Sequence, residues 1–366
     1  MSNQADVVIS RPLAEPSATL DRVRELLGEV AEDIARGWHE RSPEPTDVLA
    51  RDLPEMLRAG LIPSAGKQLR PVMCHWGWVS GHGTEGGRGH ADLVCTAAAL
   101  ELLHLFALVH DDVMDRSDSR RGQLSTHVEA ARDHAAVEAL GDPELFGDSV
   151  AVLLGDLALS ESAHLIGSTC TAVREEWRLM LRELVQGQLL DLTGTAARRR
   201  DLELSRRVAR LKSGAYTVQR PLLLGAAAAG ASPAVAAALS SYGEHLGEAF
   251  ALRDDNLGIW GDTGATGKPV GDDLVSGKAT VVLALGQQRL PAPLARRLLA
   301  GERPVSPDEV CELQQALVDC GVRDEVEAMI TRQSRLALGA LECTDLHPDG
   351  AAGLVAMVQL VAWRTT

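Results

Sequence analysis

The stretch AAALELLHLFALVHDDVMDRSDSRRG, residues 97–122, constrains the fold more than any other. Its apolar lead-in reads as the inside of a helix, and the spacing predicts one long helix from Ala91 to about Met114. Asp111, Asp112 and Asp115 fall within five residues at its end, and Arg120 and Arg121 follow. A long apolar helix ending in charge needs other helices around it and a polar opening at one end. Composition agrees: 45% of the 366 residues are hydrophobic but only 3% aromatic, with alanine and leucine dominant, which favours helix over sheet. No segment alternates apolar and polar residues with period two. The expectation is an all-α chain forming a single large helical bundle.

Residues 1–18 read as a loose tail and residues 19–366 as the bundle domain, with Thr19 a candidate cap of the first helix. Residues 80–90, SGHGTEGGRGH, form a glycine-rich loop, and 132–148 a partly helical connector. Helices resume in SVAVLLGDLALSESAHLI and in REEWRLMLRELVQGQLLDL, and SRRVARLKSGAYTVQRPLLLGAAAAG continues the pattern to about Gly230. Another helix ends in Asp254 and Asp255, followed by the loop GDTGATGKPVGDDLVSGKAT; the rest is helical, broken by prolines 291, 293, 304, 307 and 348.

The net charge of −15 argues against a nucleic acid or an anionic membrane as the main partner. Six cysteines match no metal-binding spacing and read as reduced thiols of a cytoplasmic chain. No signal-peptide pattern opens the sequence, and no apolar run reads as long and clean enough to span a membrane.

Asp111 and Asp115 are four apart and share a helix face, with Asp112 beside them. Three close carboxylates repel unless cations neutralise them. Oxygen-only ligands suit Mg²⁺, which keeps waters and bridges to phosphate. Asp254 and Asp255 repeat the arrangement at a second helix end, so the two ends are expected to face each other across the bundle mouth. Arg120 and Arg121 follow the first cluster; Lys268 and Lys278 follow the second. Carboxylates, cations and Mg²⁺ together are the chemistry of a diphosphate substrate. Lys67 and Arg70, three apart in GKQLRP, and Lys212 are further anion ligands; the spacing puts Lys67 and Arg70 on one helix face.

These elements resemble the trans-isoprenyl diphosphate synthases, or polyprenyl synthetases. The resemblance rests on GKQLRP, ELLHLFALVHDDVMD, DSRRG, LLGD, VQGQLLDL, KSGAYT, AFALRDD and GKPVGDDLVSGKAT, in order over roughly residues 60–290, and looks most like the actinobacterial geranylgeranyl type. It implies the isoprenoid synthase bundle with a central active-site cavity. It also implies condensation of isopentenyl diphosphate with dimethylallyl, geranyl or farnesyl diphosphate, and a homodimer. In that family Asp111, Asp112, Asp115, Asp254 and Asp255 would hold a Mg²⁺ cluster on the allylic diphosphate. Arg120, Lys212, Lys268 and, on a weaker match, Lys278 would contact that diphosphate. Lys67, Arg70, His104 and Arg121 would hold isopentenyl diphosphate. Phe106 and Ala107 stand where chain length is set, and their pattern resembles enzymes stopping at C20.

Four positions depart from the family pattern: Leu124 for proline, Ser213 for threonine, Ala251 for glutamine and Gly258 for a third aspartate. The last two weaken the second cluster. A class I terpene cyclase is the alternative on the same bundle, since Asp254, Gly258 and Asp262 loosely resemble its metal motif. Against it stand the intact GKQLRP and RRG elements of a second diphosphate site. A non-catalytic regulatory subunit is a third reading, opposed by the survival of both Asp pairs.

Overall fold

The computed structural model describes residues 15–41, 48–61, 68–120, 122–197, 201–261, 271–276, 278–299, 306–342 and 345–364. The helices are α1 (Ser17–Arg41), α2 (Leu53–Leu61), α3 (Leu69–Ser80), α4 (Arg88–Met114), α5 (Thr126–Ala136), α6 (Pro143–Gly167), α7 (Thr171–Ala196) and α8 (Leu202–Val208). A π-helix, Ala209–Gln219, leads directly into α9 (Arg220–Ala229), followed by α10 (Pro233–Trp260), α11 (Asp272–Ser276) and α12 (Val281–Arg289). The last four are α13 (Ala292–Leu299), α14 (Pro307–Asp319), α15 (Val322–Ala340) and α16 (Pro348–Ala362). Two-residue strands β1 (Ser119–Arg120) and β2 (Gln123–Leu124) pair antiparallel after α4. The all-α expectation holds.

α4 is the axis of the bundle. It packs on α1, α3, α6 and α9, and Leu93, Ala97 to Leu100, Leu102 and Leu103 are wholly buried along it. Its alanines let neighbouring helices approach closely, while its leucines fill the gaps. α10 is the second axis, packed against the π-helix, α9, α15 and α16. The main core joins α3, α4, α7, α9, α10, α12 and α14 to α16, and a smaller cluster lies between α1, α2, α4, α5 and α6.

Several local readings change. Thr19 is not a cap: α1 starts at Ser17, and the buried Thr19 hydroxyl lies 2.9 Å from His75 Nδ1, tying α1 to α3. Prolines 307 and 348 begin helices rather than break them, because a missing N–H costs nothing in a first turn. Part of the loop after α10 is the short helix α11. α4 and α6 are long and apolar enough to cross a membrane by length and composition, contrary to the sequence reading. In α4 that character serves the bundle axis. α6 instead leaves Leu145, Val152 and Leu153 exposed. The five described cysteines are free thiols. The tail up to residue 14 and Cys343 lie outside the described residues.

Candidate active site

α4 ends where the chain most needs cations. Asp111 and Asp112 lie in its last turn and Asp115 is its C-cap. Carboxylates at a helix C-terminus oppose the helix dipole. The β1–β2 hairpin turns back beside them, and Arg120 Nε donates to Asp112 Oδ1 and Oδ2 at 3.0 and 3.1 Å, with Nη2 on Oδ1 at 2.5 Å. The same Nη2 is 3.9 Å from Asp111 Oδ2.

Lys212 comes from the π-helix. Its Nζ is 2.9 Å from Asp111 Oδ1 and donates to Asp191 Oδ2 of α7 at 2.7 Å. Gln188, one turn earlier on α7, donates to Asp111 Oδ1 at 3.1 Å. This convergence depends on Gly187: a Cβ there would stand 2.6 Å from the Lys212 backbone nitrogen, so only glycine lets α7 and the π-helix come this close.

Lys278, before α12, reaches the first acidic end. Its ammonium is 2.6 Å from Asp115 Oδ2, a charge contact rather than a well-angled hydrogen bond, and it also feels Asp111 and Asp273. On the second end, Asp255 is partly buried and accepts from Val281 N, the start of α12, at 2.9 Å. Asp254 is about half-exposed and pairs with Arg364. The carboxylate missing at Gly258 has a counterpart: Asp273 of α11 lies over the bare Cα, where any Cβ would overlap its Oδ2.

The field follows from these contacts. Burial on its own would raise the Asp111 carboxyl, but Lys212, Lys278 and Arg120 hold it below the usual carboxylate range. Burial works against charge on Lys212 and Lys278 too, yet the facing aspartates raise both. Arg120 is raised by Asp112 in the same way, against its burial. Asp255 moves oppositely: burial, then Asp273 and other carboxylates, push it well above its ordinary value.

A second group forms deeper along α3, α4 and the π-helix. Arg70, in the first turn of α3, donates through Nη2 to Thr217 Oγ1 at 3.0 Å, and its guanidinium carbon lies 4.2 Å from the Tyr216 ring centre. Its Nε is buried with no hydrogen-bond partner among the described residues. The His104 ring is 6.5 Å from the Tyr216 ring. Burial pushes the Tyr216 hydroxyl up to about 12, with Arg70 opposing. Phe106 packs against both core clusters, its ring 4.6 Å from that of His110, and Ala107 packs against the main core.

Lys67, Arg121 and Lys268 lie outside the described residues, as does Asp262. The described part of α3 begins at Leu69, so the expectation that Lys67 and Arg70 share a helix face falls outside the described residues. Gln188, Asp191, Tyr216, Asp273 and Arg364 are site neighbours that the sequence reading assigned no role. The first four lie in quoted motifs; Arg364 had no local signal at all. A surface hollow of about 340 Å³, lined by Glu175, Arg178, Leu179 and Arg182 among others, lies on the N-terminal half of α7, away from Asp191.

Among the described residues, no three His, Cys, Asp or Glu side chains converge as a ready-made metal cage. The donor set is nevertheless all oxygen, carried by α4 and α10. Mg²⁺ characteristically takes one or two carboxylates, waters and phosphate oxygens, and these residues fit that demand.

Residues 53–317 match the family described as polyprenyl synthetase. A short chain isoprenyl diphosphate synthase of Methanothermobacter thermautotrophicus is 30% identical over 335 residues, 89% of this chain and 96% of the relative. A geranylgeranyl diphosphate synthase of Mycobacterium tuberculosis is 33% identical over 309 residues, 82% of this chain and 81% of the relative. The crystal structure of a geranylgeranyl pyrophosphate synthase from Corynebacterium glutamicum, complexed with isoprenyl diphosphate and magnesium, superposes with a TM-score of 0.84 at 34% identity, covering 95% of this chain and 98% of that one.

Proposed function

This chain belongs to the polyprenyl synthetase family, and we propose that it is a trans-prenyltransferase condensing isopentenyl diphosphate with an allylic diphosphate. The observation that carries the reading is the interlocked set Asp112–Arg120, Asp111–Lys212–Asp191 and Asp115–Lys278 at the mouth of the apolar α4. Its three cations are held within reach of one small anion by acids able to exchange them for metal. Mg²⁺, when bound, supplies Lewis-acid stabilisation of the departing diphosphate; Asp111, Asp112, Asp115, Asp254 and Asp255 are the residues that would hold it.

The protein's own part is binding, neutralisation and exclusion of water. Arg120, Lys212 and Lys278 bind the allylic diphosphate and neutralise charge as it develops on the leaving oxygen. Lys268, from its motif, joins them. Arg70 through its unpartnered Nε, with His104 and, from their motifs, Lys67 and Arg121, holds isopentenyl diphosphate. As the allylic C–O bond breaks, the alkene of isopentenyl diphosphate forms the new C–C bond to the allylic carbon within an apolar space along α4 that keeps water from the carbocation, and the resulting cation loses a proton to the departing diphosphate. Phe106 and Ala107 set the depth of that space, and the product is C20 geranylgeranyl diphosphate. The exposed apolar residues of α6 together with Val185 and Leu189 of α7 form the face of a homodimer, and the protein works in the cytoplasm.

Mass spectrometry of products from isopentenyl diphosphate, Mg²⁺ and each allylic primer tests the reading. A C20 diphosphate is expected. A hydrocarbon or alcohol from the allylic substrate alone would instead make the chain a cyclase, and no product with any primer would remove the enzymatic reading.

A further inference from the structure

Asp254 is the half-exposed member of the second acidic pair, and the group that covers it comes from far along the chain. Arg364 Nη2 pairs with Asp254 Oδ1, and the Arg364 guanidinium carbon lies 4.3 Å from the centre of the Phe250 ring. Phe250 and Asp254 are four apart on α10, so the guanidinium lies along one helix face, with an aromatic ring at one end and a carboxylate at the other. Its side chain is only 16% exposed, against 52% for Asp254. Arg364 Nε is buried with no partner among the described residues, so the cation is sequestered without being fully satisfied.

The segment that delivers Arg364 is anchored independently of it. Arg253, beside Asp254 on α10, donates from Nε to the carbonyl of Ala362 at 2.7 Å. The other arms of Arg253 clasp Glu327 of α15 at 2.6 and 2.8 Å, and Asn256 donates to the same carboxylate at 3.0 Å. Val361 and Ala362 are buried in the core. Two residues after this clamp, the chain has placed a cation on the acid. Arg253 fixes the backbone at Ala362, and Arg364 reaches Asp254 from beyond that clamp.

We propose that Arg364 is a tethered counter-ion of the second acidic pair, covering Asp254 in the metal-free protein and leaving it when a divalent cation arrives with diphosphate. An Asp254 oxygen bound to the guanidinium and one bound to a metal use the same lone pairs, so the two cations compete. The segment following α16 is therefore a latch that reports the loading of the site. This rests on the proposed role of Asp254 as a metal ligand, and the test separates the two.

The probes are Mn²⁺, counted by electron paramagnetic resonance, and inorganic pyrophosphate, added to the full chain. Arg364→Gln shortens the side chain and removes its charge while keeping a polar head group, and the Arg253 clamp keeps the segment in place. For a pair with one half-exposed partner, removal of the competitor should tighten Mn²⁺ binding about two- to fivefold, and Arg364→Lys should fall between Gln and wild type. In the wild type, Mn²⁺ with pyrophosphate should speed hydrogen exchange at the amides of Trp363 and Arg364 while leaving the α10 amides protected. Unchanged or weaker Mn²⁺ binding in Arg364→Gln, or exchange at Trp363 and Arg364 that ignores the metal, overturns the latch. Asp254→Asn is the separate arm: if it binds Mn²⁺ like wild type, the assignment of Asp254 as a ligand fails, and the latch fails with it. If Asp254→Asn loses Mn²⁺ while Arg364→Gln gains nothing, the ligand stands and only the latch falls.

Discussion

Replacing Lys212 by methionine separates charge from packing at the centre of the site. The substitution keeps most of the side-chain volume and removes one ammonium that serves two carboxylates, Asp111 at 2.9 Å and Asp191 at 2.7 Å. All three side chains are between 13% and 22% exposed. Breaking a buried ion pair costs about 3–5 kcal/mol because the orphaned charge keeps its desolvation penalty. Here Arg120 and Gln188 still reach Asp111, so a loss of about 2–3 kcal/mol is the better expectation once partial exposure is discounted. Unfolding entropy of about 2.1 cal/mol/K per residue gives roughly 0.8 kcal/mol/K for this length, which turns that loss into a fall in Tm of about 3–4 °C. Calorimetry without metal measures it. In the enzyme, one charge-assisted contact to the leaving diphosphate is worth about 1.5–3 kcal/mol, so kcat should fall roughly 10- to 150-fold. A Lys212→Met protein with wild-type Tm and wild-type kcat would refute both the bridging geometry and the role of Lys212.

Three other outcomes are expected. The chain has two tyrosines, both with hydroxyls raised by burial, Tyr216 to about 12. Because their folded values exceed the unfolded one of about 10, the stability they contribute is complete below pH 10 and lost as pH rises through the folded values. Absorbance at 295 nm should therefore show no phenolate at pH 10.5 until the protein unfolds, and a native phenolate signal there would contradict the burial. On a straight helix Ala107 lies about 6 Å below Asp111 on the same stripe, so Ala107→Phe should shorten the product towards C15; Phe106→Ala should lengthen it only if that ring closes the space, and mass spectrometry reads both. Val185→Glu with Leu189→Lys on the exposed face of α7 should turn a dimer into monomers by light scattering, and an unchanged mass would place the contact elsewhere.

The sequence made the axial helix legible because its signals were local. The helix expected to end at Met114 ends there, and its start lies three residues earlier than expected. α9 stops at Gly230, whose φ of 70° suits glycine. What escaped was set by contact across the fold. SRRVARLKSGAYTVQRP looked like an uninterrupted helix, yet residues 209–219 form a π-helix, whose wider turn leaves no mark on a pattern of period 3.6. The partners of Lys212 depend on how closely α7 can approach, which Gly187 permits but does not announce. Arg120 was assigned from its motif to the substrate; its grip on Asp112 depends on two-residue strands too short to show any periodicity. Asp273 and Arg364 reach the second acidic end from residues 18 and 109 places beyond Asp255, and no local rule connects such positions.

These contacts resolve the problem posed by three aspartates at the end of an apolar helix. Each has a cation beside it: Lys212, shared with Asp191, for Asp111, Arg120 for Asp112 and Lys278 for Asp115. The three cations offset most of the negative charge of these acids, so the repulsion between the carboxylates is relieved within the protein. On the proposed reading, the same carboxylates would hold Mg²⁺ and the same cations would hold the diphosphate, so the groups that now neutralise one another are those the substrate complex would need. Asp254 with Arg364 obeys the same rule at the opposite helix end. Asp255, with no cation partner among the described residues, instead accepts the N–H at the start of α12, and burial with the nearby Asp273 carboxylate raises it well above its ordinary value. The two neighbouring acids are thus held differently, Asp254 by the Arg364 guanidinium and Asp255 by a backbone N–H.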